Sequence, residues 1–265
     1  MKTPISYYGG KQKLAATILK LIPEHDLYGE PFIGGAAIFF AKEPSKVEVI
    51  NDTNKELVNF YRMVQHEFVG LEKEIKISLH SRDLHRKASV IYNNPDMFSE
   101  IKRAWAVWVL AAQSFSSIID GSWGYDIQKG TTSLKVMNKR ESFTEDYAIR
   151  LQDIQIECTD ALRIIESRDN PKAFFYCDPP YYNSDCGHYN GYSLQDFENL
   201  LKLLSKIKGK FLLSSYPSPI LKQYTKENSW ETKTLDFKVS VGIKNGKPGK
   251  PKTEVLTANY PLNGI

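Results

Sequence analysis

The sequence predicts an α/β fold, a doubly wound sheet core interrupted by a mainly helical insert. Three observations carry that prediction. Short β-prone runs, KVEVIND at 46–52, DIQIEC at 153–158 and AFFYC at 173–177, are joined by segments of helical periodicity. Between them, residues 66–112 read as helix after helix with no convincing strand. Two of the runs lead into an acid, Asp52 and Asp178, at strand ends of the kind where open α/β sheets bind ligands.

The elements follow in order. SYYGGKQKLAATILKLIP opens on a Gly-Gly turn and continues as a helix with Leu14, Ile18 and Leu21 on one face, ended by Pro23. DLYGEPFIGGAAIFFAK predicts a short strand, a glycine loop and a helix from about Ala36. KVEVIND is a strand, and NKELVNFYRMVQ a helix with Leu57, Val58, Tyr61 and Val64 at helical spacing. EIKRAWAVWVLAAQSF, with Trp105, Trp108 and Val109, is the clearest helix of the insert. SIIDGSWGYDIQKGTT places turn residues between aromatic positions and predicts a β-hairpin or a loop. After the strands DIQIEC and AFFYC, YSLQDFENLLKLLSKI is a helix with Ser193 as N-cap, Asp196 as capping-box partner, and Leu200, Leu201 and Leu204 as its apolar face. KFLLSSY is a further strand, and DFKVSVGI and KTEVLTANY are two more, joined by KNGKPGKPK. The core is thus assigned to residues 1–58 and 152–265, and the insert to 59–151.

Composition bounds the function classes. A chain of 265 residues, 42% hydrophobic and 25% charged, has the balance of a soluble globular protein. Its apolar runs fall short of the roughly 18 residues of a membrane span, and the N-terminus has no apolar signal region, so a cytoplasmic location with no membrane partner is expected. Cys158, Cys177 and Cys186 lack paired CxxC spacing; Cys177, Cys186 and His188 are poor metal ligands as a set, and no metal is expected. Residues 201–265 hold twelve lysines against four acids, +8, which leaves −4 for the rest of a chain of net +4. A basic C-terminal quarter suits a polyanion, as it suits a solvated surface; Lys244, Lys247, Lys250 and Lys252 are its candidate phosphate contacts.

Three strand ends carry chemistry. Gly34 and Gly35 permit a tight turn and close backbone approach. Asp52 stands about 20 residues later at the end of the next strand, where a doubly wound fold places an acid for ribose hydroxyls. There is no GxxxxGK[ST], and Ala36 and Ala37 follow the glycine pair, so a nucleoside without phosphates fits better than a nucleotide. In Asp178-Pro179-Pro180-Tyr181 the prolines stiffen the backbone, so that the Asp178 carboxylate and the Pro179 carbonyl form two fixed acceptors. An exocyclic amine offers two donors, and Tyr181 offers a stacking face; a rigid strand-ending turn is the plainer reading of the same residues.

DPPY with FxGG upstream resembles the amino-directed S-adenosylmethionine-dependent DNA methyltransferases. The order YYGGK, PFIGG, INDTN, helical insert, DPPY is similar to the Dam-type, alpha-group adenine-N6 enzymes, and ECTDAL, LSSY and TEVLTANY extend the likeness over nearly the whole chain. The resemblance implies a Rossmann-like class I methyltransferase core, with 59–151 as an inserted target-recognition domain. It implies S-adenosylmethionine as cofactor, contacted by Tyr7, Gly9, Gly10, Lys11, Phe32, Gly34, Asp52 and Asp160, with Asp52 on the ribose and Asp160 near the adenine. It implies Asp178, Pro179, Pro180 and Tyr181 as the catalytic set and double-stranded DNA as partner. Two departures stand out: Ala36 occupies the place of a frequent third glycine, and residues 113–130, matching the family's DNA-reading hairpin, contain no arginine. An RNA or protein-glutamine methyltransferase, an amino-cytosine DNA methyltransferase and a catalytically silent nucleic-acid-binding protein on this fold remain open alternatives. A cytosine-C5 enzyme is set aside, since Cys177 precedes the acid and prolines and belongs to the strand.

Overall fold

The computed structural model describes residues 1–183, 191–237 and 252–263. Its strands are β1 (Leu27–Glu30), β2 (Val47–Asn51), β3 (Gln155–Glu157), β4 (Ala173–Cys177), β5 (Lys210–Ser215), β6 (Glu231–Phe237) and β7 (Lys252–Ala258). They lie in one seven-stranded sheet in the order β3-β2-β1-β4-β5-β7-β6. β1 pairs with β4, β2 with β3 and β4 with β5 in parallel; β7 runs antiparallel to both β5 and β6. The run 3-2-1-4-5 is the doubly wound, Rossmann-like order, extended by an antiparallel edge. Among the described residues no helix is long and apolar enough to cross a membrane.

The chain packs as two compact units. The first comprises Met1–Leu19, Ile33–Pro44 and Glu48–Thr159. It contains α1 (Ala15–Leu19), α2 (Ala37–Ala41), α3 (Lys55–His66), α4 (Phe68–Lys76), α5 (Arg82–Asn93), α6 (Glu100–Gln113), α7 (Thr131–Glu141) and α8 (Asp146–Leu151). α6 packs against α3, α4 and α5, and Trp105, Trp108 and Val109 are buried there as their spacing predicts. Leu57, Val58, Tyr61 and Val64 of α3 are buried likewise, and Asn54 caps that helix by accepting from the Glu56 and Leu57 amides. Arg103 of α6 holds Glu56 of α3 through two bonds of 2.9 and 2.7 Å. Deeper still, Glu48 accepts from Lys42 at 2.5 Å and from Arg150 of α8 at 2.6 Å, and the Arg150 guanidinium lies 3.8 Å from the centre of the Phe39 ring. One buried carboxylate thus compensates two buried cations and pins α8 to β2.

The second unit comprises Lys20–Phe32, Ser45–Val47 and Asp160–Ile265. All five residues of β4 are buried, which is why AFFYC reads as one apolar run rather than an alternation. α9 (Ala161–Arg168), α10 (Leu194–Leu204) and α11 (Pro219–Glu227) are its helices. α10 carries the reciprocal capping box: Ser193 Oγ accepts from the Asp196 amide at 3.2 Å, and Asp196 accepts from the Ser193 amide at 2.7 Å. Leu200, Leu201 and Leu204 join Phe175, Phe211 and Trp230 in the core.

Several elements differ from expectation. The stretch 117–132 forms no regular hairpin; a single antiparallel bridge joins Ser114 to Trp123, with Phe115 N–H donating to Ser122 O and Gly124 N–H to Gln113 O, both at 2.8 Å. α7 escapes sequence reading because only Val136 of its residues is buried, so it has no apolar stripe. β6 begins at Glu231, ahead of the DFKVSVGI run, because an edge strand tolerates the polar Glu-Thr-Lys start. Cys186, His188 and the lysine loop from Lys244 to Lys250 lie outside the described residues.

Replacing Glu48 with Gln leaves Lys42 and Arg150 buried without their counter-charge. The expected loss is about 3–5 kcal/mol of stability, read from denaturant unfolding; an unchanged midpoint would remove the triad from the list of what holds the first unit together.

Candidate active site

In the first unit the glycine loop is shaped by Tyr7. Gly34 has φ +45°, and a Cβ there would lie 3.3 Å from two ring carbons of Tyr7; on Gly35 it would lie 2.7 Å from Tyr7 Cβ, closer than carbon atoms approach. Gly10 N–H donates to Tyr7 O at 3.0 Å, closing the turn, and the Lys11 ammonium donates to Gly9 O at 3.2 Å. Ala36, where a third glycine is frequent, takes the left-handed conformation itself, with φ 57° and ψ 34°. That conformation costs an L-residue roughly 1–2 kcal/mol, and the flanking bonds hold it: Ala36 N–H donates to Ile33 O at 2.7 Å and Ile33 N–H to Asn51 O at 2.8 Å.

Asp52 fastens this loop. Oδ2 accepts from Gly34 N–H at 3.1 Å and Oδ1 from Asn54 N–H at 2.9 Å, while Tyr61 donates to Gly34 O at 2.7 Å. Beside it, buried Asn51 exchanges two bonds with the Thr159 backbone, at 2.9 and 3.0 Å. Burial raises the Asp52 carboxyl above its ordinary value, and the amides of Asn54, Gly34 and Thr53 partly offset this. An ionised carboxylate is acceptor-only with about four lone-pair positions. Backbone amides occupy part of this capacity here; what remains suits a ribose hydroxyl and repels a phosphate. The chemistry of this donor set therefore fits a nucleoside-bearing cofactor.

In the second unit Asp178 follows β4 directly. The Tyr181 hydroxyl lies 2.8 Å from Glu254 Oε1, 3.1 Å from Asp178 Oδ1 and 3.2 Å from Ser214 Oγ, and Ser214 Oγ is also hydrogen-bonded to Glu254 Oε1. Strands β4, β5 and β7 thus deliver one polar cluster. Burial first, then the nearby Asp178 and Glu254 charges, hold the phenol well above its ordinary value, so Tyr181 keeps its proton and donates. Its ring is fixed at the hydroxyl end and lies 4.4 Å from that of Tyr216, tilted by 57°. Pro179 is buried. Tyr182 packs on Phe197 at 5.4 Å and the Asn183 amide donates to Pro217 O at 3.3 Å, so these two anchor the segment after the turn. Burial pushes the Cys177 thiol far up and keeps it neutral, unsuited to act as a nucleophile.

The predicted residues fall into groups. Tyr7, Gly9, Gly10, Lys11, Gly34 and Asp52 come together in the first unit, and Asp178 and Tyr181 in the second. Phe32 stands half-buried against the apolar core of the second unit, edge-on to Tyr192 at 6.2 Å. Asp160 is exposed and caps α9, with Oδ1 accepting from Leu162 N–H at 2.7 Å. Glu254, Ser214 and Tyr216 receive no role from sequence, although LSSY and TEVLTANY, which carry them, are part of the resemblance. Arg82 was also missed. It lies 4.6 Å over Trp123 and 5.5 Å over Tyr125, with His80 stacked on Trp123 at 4.7 Å, so the arginine-free stretch 113–130 receives one from α5.

Gly35→Ala forces Tyr7 and the loop apart. Over-packing of this kind is expected to cost about 1–3 kcal/mol and to weaken nucleoside binding, measured by thermal melting and calorimetry; retention of both would free the glycine of its steric duty. Asp52 gives pH effects of opposite sign. Its raised folded pKa means that its contribution to stability is present below the unfolded value and is lost as pH rises through the folded one. Any hydroxyl-accepting role needs the ionised form, so nucleoside affinity that depends on Asp52 is expected to weaken as pH falls, beginning above the ordinary aspartate value of 3.8. Calorimetric affinity across pH for wild type and Asp52→Asn checks this, since the variant should lose that dependence.

The sequence between residues 7 and 238 matches the family model of the D12 class N6 adenine-specific DNA methyltransferases. The chain is 28% identical to the type II methyltransferase M1.LlaDCHI of Lactococcus lactis subsp. cremoris, over 95% of this chain and 93% of that one. It is 22% identical to the DNA adenine methylase of Salmonella typhimurium, over 97% and 94% respectively. The DNA N-6-adenine-methyltransferase of Escherichia phage P1 is 22% identical over 91% of this chain and 33% of its own length. With the glycine loop, its aspartate and the DPPY cluster in place, the chain belongs to the D12 class of N6 adenine-specific DNA methyltransferases.

Proposed function

We propose that the chain methylates N6 of an adenine extruded from double-stranded DNA, in the cytoplasm, with Asp178 as the group that activates the amine. The observation that carries this reading is the Tyr181 hydroxyl held between Asp178 and Glu254 after a strand buried along its whole length. S-adenosylmethionine, when bound, supplies an electrophilic sulfonium methyl. In the first unit Asp52 would hold its ribose, with Tyr7, Gly9, Gly10, Lys11 and Gly34 supplying further contacts.

The amine of adenine is a poor nucleophile, because its lone pair is delocalised into the ring. Asp178 and the Pro179 carbonyl accept its two N–H bonds. That draws nitrogen towards tetrahedral geometry and returns the lone pair to it. Asp178 also stabilises the positive charge that develops on nitrogen and holds the proton that nitrogen loses as it becomes a secondary amine. Tyr181 and Tyr216 give the extruded base an aromatic surface in place of its neighbours in the stack. Glu254 and Ser214 fix the Tyr181 hydroxyl, so that the ring keeps one orientation and Asp178 one rotamer. Residues 59–151 serve as the target-recognition domain, with the loop 113–130 and Arg82 as its reading element.

Asp178→Ala is expected to lower methyl transfer by about three orders of magnitude while leaving donor affinity intact. Tyr181→Phe, which keeps the ring and drops the hydroxyl, should lower turnover less and leave DNA affinity unchanged. Single-turnover assays with a methylation-sensitive readout decide both, and wild-type transfer by Asp178→Ala would sink the assignment.

A further inference from the structure

Lys139 belongs to α7, within the stretch 59–151, yet its ammonium reaches the N-terminal segment. Its Nζ donates to Ser6 Oγ, one residue before Tyr7 and 133 positions away in sequence. Ser6 is neutral, and no carboxylate lies within ion-pairing distance of Lys139 among the described residues. Elsewhere in the unit, Lys42 and Arg150 share Glu48, and Arg103 has Glu56. The Lys139 side chain is half-buried, and the partial loss of water around its ammonium brings it down to about 8. Such a charge is costly, and its place beside a binding segment points to an anion that arrives with a ligand.

The neighbours narrow the anion. Ser6 leads into Tyr7, whose ring carbons a Cβ on Gly34 would meet at 3.3 Å, and Gly34 is the residue whose amide Asp52 accepts. If Asp52 takes the ribose, the amino-acid end of the donor is the part left to the other residues of this segment. Its one anionic group at neutral pH is the α-carboxylate. We propose that Lys139 binds the α-carboxylate of S-adenosylmethionine, so that a helix of the insert completes the cofactor site. The proposal rests on the reading that the first unit binds this donor. α7 then has two duties: the insert reads DNA, and its lysine closes on the methyl donor.

Calorimetry without DNA tests this with two probes. S-adenosylhomocysteine carries the carboxylate; 5′-methylthioadenosine lacks the amino-acid part. Lys139→Met should weaken the first about 10–100-fold and leave the second within about twofold. Lys139→Arg should keep most of the affinity, and Ser6→Ala, which removes only the neutral partner, should keep nearly all of it. Equal losses for both probes would reduce Lys139 to a support for Tyr7. No loss for either, with weakened duplex binding, would make it a phosphate contact. Both results overturn the proposal. Binding of neither probe by the wild type would instead defeat the donor-binding reading on which it rests.

Discussion

The carboxylate of Asp52 is the constraint on which the first unit's loops depend. One side chain accepts from the glycine loop at Gly34 and from the start of α3 at Asn54, while its neighbour Asn51 pairs with the loop after β3 through Thr159. Asn54 in turn caps α3 and donates to the Tyr92 hydroxyl at 2.9 Å. Three polar positions of INDTN, Asn51, Asp52 and Asn54, thereby stitch together segments that are far apart in the chain. The glycine pair follows from the same arrangement. Once Gly34 is drawn to Asp52 and to Tyr61, Tyr7 packs where side chains at 34 and 35 would stand.

Local patterns made much of this legible. AFFYC is apolar at every position because both faces of β4 are covered, and the capping box of α10 is a four-residue signal that needs no tertiary context. The strand ends could be found because acid and glycine interrupt apolar runs. What sequence did not reveal depends on distance or on weak amphipathicity. Glu254 meets Tyr181 across 73 residues, and Lys139 meets Ser6 across 133. α7 shows no stripe, and β6 begins with polar residues that only pairing with β7 explains. Arg82 lies well before the loop it supports, so a composition count of 113–130 alone misses it.

The two polar clusters do different physical work. Around Asp52 the partners are mostly backbone amides, which makes the loop rigid and leaves acceptor positions for hydroxyls. Around Tyr181 the partners are side chains from β5 and β7, which fix an aromatic ring by its polar end. Glu48 is a third arrangement, a buried carboxylate that holds two cations, Lys42 and Arg150. A chain with comparatively few charges in its core has placed several of them where a loop or helix would otherwise drift.

The position of β7 has a consequence for biosynthesis. It follows β6 in sequence, yet it pairs between β5 and β6 and supplies Glu254 to the cluster around Tyr181. A nascent polypeptide can therefore assemble the glycine loop and the helical insert while its tyrosine clamp is still missing a wall. The clamp closes only when β7, made after the glycine loop and after β5, pairs with β5, so the cluster forms later in synthesis than the loop.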